Sequence, residues 1–78
     1  MPKSRHTVRY ERLLQTLRAA RKEAGLTQTE IAKHFGAHAS FVSKVESGER
    51  RLDVIELADF CRLYGVRLAA FLKKAGLE

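Results

Sequence analysis

Only one cysteine, no long apolar run and few β-branched residues occur in this 78-residue chain. The lone thiol, Cys61, excludes an internal disulfide and suits a reducing compartment. No uncharged apolar run approaches the ~18 residues that a membrane span requires. No apolar segment follows the charged N-terminus, as it would in a secretory signal. A cytoplasmic protein with no membrane partner is therefore expected. Polar and apolar residues nowhere alternate with period two over a useful length, so no strand is predicted. The chain also lacks a glycine-rich phosphate loop and a nucleophile–base–acid set, and it is too short for a substantial pocket. No enzyme activity and no cofactor are expected. His34 and His38 stand four apart, but Gly36 interrupts any helix between them and no carboxylate or thiol completes a ligand set, so no metal is expected either.

What is present is a modest apolar complement and an uneven charge. Apolar residues make up 45% of the chain, enough for one small core and too many for a disordered segment. The net charge is +6, and residues 1–22 hold seven basic side chains against one acidic one, whereas residues 23–78 are balanced. Such an excess at one end suits a polyanionic partner, nucleic acid or an anionic membrane, but it is also what a solvated arm looks like. Residues 1–6 read as a basic N-terminal arm, and residues 7–78 as a single domain.

Five helices follow from periodicity and punctuation. Leu13, Leu14, Leu17, Ala20 and Ala24 recur at helical spacing in a first helix that starts near Thr7 and stops at Gly25. Thr27 and Glu30 form a capping box for a second, whose apolar stripe is Ile31, Ala32 and Phe35 and whose stop is Gly36. A third spans about residues 39–47, with Val42 and Val45 inward and Gly48 as its end. Asp53 and Glu56 cap a fourth that buries Leu57, Ala58, Cys61 and Tyr64 up to Gly65. A fifth, from about residue 68 to 75, carries Leu68, Phe71 and Leu72. The fold class is all-α.

The second and third helices, joined by a short glycine-containing turn, make a helix-turn-helix. Ala32 is small where the third helix crosses, and Gly36 supplies a backbone conformation that a side chain resists. The outward face of residues 39–44 is small and polar, and a DNA major groove is wide enough to admit one helix.

Residues 26–65, LTQTEIAKHFGAHASFVSKVESGERRLDVIELADFCRLYG, resemble the helix-turn-helix family of phage repressors, Cro proteins and xenobiotic-response-element-type bacterial regulators. LTQTEIA, the run VSKVESGERR and the distance between them match together. The resemblance implies a compact five-helix lambda-repressor-like domain and a sequence-specific transcriptional regulator of double-stranded DNA, a small repressor. It implies that Ala39, Ser40, Ser43 and Lys44 face base edges, and that Gln28, Ser47, Arg50 and Arg51 contact phosphates. It also implies an ion pair between Arg21 and Glu46. Ala39 stands where relatives commonly carry a polar residue such as glutamine, which can bind adenine bidentately, and His38 stands where a serine or threonine usually caps the recognition helix.

Several readings stay open on the sequence alone. His38 and Phe41 are further DNA-contact candidates; Phe41 either packs against the second helix or the arm, or presses on a sugar or thymine methyl. Lys3, Arg5 and Arg9 either follow the DNA or remain solvated. Leu68, Phe71 and Leu72 either complete the core or help to pair two copies, and a homodimer through the fifth helix and its neighbours is expected because one small module binds weakly alone. The same fold also serves restriction–modification controllers, antitoxins and modules that dock another protein.

Overall fold

The computed structural model describes residues 7–78, so the basic arm at residues 1–6 lies outside the described residues. Five helices follow in order: α1 Val8–Glu23, α2 Gln28–His34, α3 Ala39–Ser47, α4 Val54–Tyr64 and α5 Leu68–Lys74. No strand occurs among the described residues.

Local chemistry accounts for most of the boundaries. The Thr7 hydroxyl accepts from the Tyr10 N–H at 3.0 Å and starts α1. Thr27–Glu30 and Asp53–Glu56 both form complete capping boxes, so two orphan amides at each start are satisfied reciprocally. His38 caps α3 with extended backbone but no side-chain hydrogen bond, leaving that helix start weaker than its neighbours. Hydrogen bonds from the Thr27 backbone and hydroxyl hold the Glu30 carboxyl below its ordinary value.

The turn between α2 and α3 is where glycine is required. Gly36 takes φ +64°, its N–H donating to Lys33 O at 3.1 Å while the Ala37 N–H reaches back to Ala32 O at 2.9 Å. This paired arrangement closes a helix by a left-handed residue, a conformation that disfavours any Cβ. Gly48, at φ +83°, ends α3 in the same region of backbone space. The helix α3 is therefore bracketed by two positions that only glycine occupies cheaply.

Leu14, Leu17, Ile31, Val42, Val45, Phe60 and Cys61 are the largest fully buried side chains, and α2 and α3 pack closely against one another. Ala32 is buried at the α2–α3 crossing. Three details differ from the periodicity. Ala24 lies past the end of α1 and is exposed, because the chain has already begun its turn into Gly25. Ala58 is half-buried, and its neighbour Phe60 occupies the centre of the core instead. Tyr10 and Ala75 join the buried set. Phe71 is buried while Leu68, Leu72 and Leu77 pack half-buried against the core, so the C-terminal segment completes the monomer.

Candidate nucleic-acid interface

One face of α3 is left to solvent. Ser40, Ser43 and Lys44 are exposed, Ala39 is half-buried at the leading end, and His38 is exposed just before it. The opposite face, Val42 and Val45, is fully buried, which fixes how far α3 projects from the body.

Phe41 lies between the two faces. Its ring centroid stands 5.3 Å from that of Phe35 and 6.2 Å from that of Phe60, so it packs on the end of α2 and on α4. Phe60 in turn contacts Phe35 at 4.8 Å and Tyr64 at 6.0 Å. An aromatic cluster thus forms the floor beneath α3, with Phe41 as its half-exposed edge.

The base of α3 is held by a buried carboxylate. Glu46, only 3% exposed, accepts from Arg21 Nε at 2.7 Å and from Arg21 Nη2 at 3.1 Å, a bidentate pair. Gln28 Nε2 donates to the same carboxylate at 3.0 Å, and Arg18 Nη1 donates to the Glu46 carbonyl at 2.9 Å. Arg21 also reaches the Leu26 carbonyl at 3.0 Å. The Arg21–Glu46 pair therefore ties together α1, the α1–α2 turn, the start of α2 and the end of α3. Donation to Glu46 raises the Arg21 guanidinium above its ordinary value. Burial, and then the Glu46 charge, push the nearby Tyr64 phenol strongly upward, and its buried hydroxyl has no protein partner.

The loop after α3 is structured by two arginines in different ways. Arg50 is bidentate to Glu56, Nη1 to Oε1 at 3.0 Å and Nη2 to Oε2 at 2.8 Å, and its guanidinium lies 4.8 Å over the Phe41 ring. Arg51 lies 4.2 Å over the Tyr10 ring, and the Tyr10 hydroxyl accepts from the Leu52 N–H at 3.3 Å. The Ser47 hydroxyl donates to Lys44 O and accepts from the Glu49 N–H, so it stabilises the loop locally. Glu56 is held below its ordinary value, chiefly by donation from Arg50.

The fold thus brings Ser40, Ser43 and Lys44 onto one open face, beside Ser47 at the end of α3 and the loop carrying Arg50 and Arg51. Gln28 is half-buried, and its side chain braces α3 through Glu46. Sequence reasoning missed Arg18, Tyr10, Phe60 and the second role of Glu56. Tyr10 stands three and four residues before Leu13 and Leu14, so helical spacing alone marks it as inward-facing. Nothing in the sequence separates Arg18 from the other arginines of α1. Cys61 is buried, and burial pushes its thiol upward, away from the reactive thiolate form. Among the described residues no three His, Cys, Asp or Glu side chains converge as a metal site, and no helix is long and apolar enough to cross a membrane.

Comparison with known proteins gives the same architecture. A family model described as a helix-turn-helix domain matches residues 12–72. A solved XRE-family-like protein from Pseudomonas syringae pv. tomato is 53% identical, with 87% of this chain and 83% of that one covered and a TM-score of 0.81. The crystal structure of the clp gene regulator ClgR from C. glutamicum is 27% identical, with 95% of each chain covered and a TM-score of 0.78. No curated protein sequence matches the chain. With the open face of α3, the glycine-closed turn and these relatives together, the chain belongs to the XRE-type helix-turn-helix family of DNA-binding transcription regulators.

Proposed function

We propose that the protein is a sequence-specific regulator of double-stranded DNA, a small repressor that inserts α3 into the major groove. The observation that carries this reading is the exposed Ser40, Ser43 and Lys44 face on a helix whose other side is fully buried. Short side chains let the helix axis approach the bases, and Lys44 has the length and charge to reach guanine O6 and N7. Ala39 has an apolar methyl suited to a thymine methyl. His38 stands exposed at the entrance, and the outer edge of Phe41 is the remaining apolar surface there.

Phosphate contacts flank this face. Ser47 is the last residue of α3, Arg51 belongs to the loop that follows, and Gln28 sits in the first turn of α2. Arg50, which the resemblance groups with them, is engaged by Glu56. We assign the protein to the cytoplasm and to a homodimer, because two modules one helical turn apart, ~34 Å, double a limited contact area. Phe71 is buried and Leu68 and Leu72 are half-buried in the monomer's own core, so a dimer through α5 uses its outer side, where Ala69, Ala70 and Lys74 are exposed.

Replacing Ser40 and Lys44 together by alanine tests the assignment of base contacts. Each good base contact is worth about 1–3 kcal/mol of discrimination. The double variant should retain its helical circular dichroism and its melting temperature while the preference for a selected duplex over a mixed-sequence one falls at least about tenfold. An unchanged preference would remove these residues from base reading.

A further inference from the structure

Arg50, in the loop after α3, is held by a carboxylate, a carbonyl and an aromatic ring at once. Its two terminal nitrogens meet both oxygens of Glu56, and Nη1 also donates to the Arg51 carbonyl at 3.0 Å. The Phe41 ring lies beneath the guanidinium. The Oε1 that meets Arg50 Nη1 also accepts from the Asp53 N–H at 3.1 Å, as part of the α4 capping box. An isolated surface pair contributes little, but a bidentate pair within a network of hydrogen bonds and a cation–π contact is a different case.

Two consequences follow from this placement. A guanidinium paired with a carboxylate carries less net charge toward DNA and displaces fewer counterions than a free one. Phe41, meanwhile, is clamped between Phe35 and Phe60 below and Arg50 above, and Phe41 is part of α3. The α4 carboxylate therefore acts on the recognition helix through two intermediaries.

We propose that Glu56 is a positioning residue for DNA discrimination: it withholds Arg50 from indiscriminate phosphate binding and seats that guanidinium on Phe41, fixing the pose of α3. It raises the ratio of specific to non-specific affinity without touching DNA. The inference rests on the duplex-binding reading above and adds to it a determinant of specificity on α4.

The test uses the full chain with Glu56→Gln and with the double variant Arg50→Ala, Glu56→Gln. Glutamine keeps an oxygen for the Asp53 N–H, so the cap survives and only the charge pair is lost. Affinity is read against salt concentration on a mixed-sequence duplex. For Glu56→Gln the plot of log K against log salt should steepen by about 0.9, the equivalent of one new phosphate contact. Affinity for that duplex should rise severalfold while the preference for a library-selected duplex falls. In the double variant the slope should return to that of the parent. A merely structural role for Glu56 moves neither slope. The proposal is overturned if Glu56→Gln leaves the slope unchanged, or if the double variant lies about 0.9 shallower than the parent, which would mean that Arg50 already contacts phosphate. The double variant decides the matter even if Glu56→Gln alone folds poorly. Because slopes are read on mixed-sequence DNA, they test the withholding of Arg50 independently of the regulator reading; a parent lacking sequence preference would overturn that reading and the discrimination role together.

Discussion

Glu46→Ala is expected to destabilise the domain by about 3–5 kcal/mol, the cost of removing one partner from a buried ion pair. The arginine it leaves behind is 12% exposed and lies against the core, so water cannot restore what the carboxylate supplied. Gln28 loses its acceptor in the same stroke. Small domains have total stabilities of about 5–15 kcal/mol, so this one substitution removes a large share. Urea denaturation followed by circular dichroism measures it directly. A companion variant, Arg21→Met with Glu46→Leu, should cost less than Glu46→Ala alone, because apolar replacement of both partners avoids stranding a charge. A loss below about 1 kcal/mol for Glu46→Ala would mean that the pair is not the clamp described here.

The second large effect is expected at Phe60. Its side chain is fully buried and touches the rings of Phe35, Phe41 and Tyr64, so Phe60→Ala opens a cavity beneath the recognition segment. Truncation of a buried phenylalanine costs about 3–5 kcal/mol when the surroundings relax only partly. Function should suffer beyond stability. At temperatures where the variant remains folded, affinity for a selected duplex should still fall, because Phe41 has lost the floor that sets the pose of α3. A variant that melts early but binds normally when folded would show that Phe60 does not set the pose of α3.

These two residues also show where the sequence is legible. The starts of α2 and α4 are readable, since Thr27–Glu30 and Asp53–Glu56 place donor and acceptor three residues apart in the chain itself. The turn at Gly36 was equally plain, because its chemistry is local. Phe60 was not, as α4 is apolar on more than one side: Leu57, Ala58, Phe60, Cys61 and Leu63 crowd its surface, and period alone does not choose the central one. The tie between Arg50 and Glu56 was hidden for a related reason. Glu56 already had a local role as a capping acceptor, and nothing in the spacing indicates that the same carboxylate also receives an arginine from the preceding loop. Residues that act through long-range contacts, such as Arg18 on the Glu46 carbonyl, leave no periodic trace. The Arg21–Glu46 pair, separated by 25 positions, was approachable only through the family likeness.

The central claim is that α3 reads base sequence from a fixed pose. Selection of bound fragments from a random duplex library, at near-physiological salt, tests it most directly. The structure and the proposed homodimer predict enrichment of an inverted repeat with half-sites about one helical turn apart, ~34 Å between centres. Binding with no enriched sequence, lost steeply as salt rises, would contradict it and leave only attraction between basic side chains and phosphate.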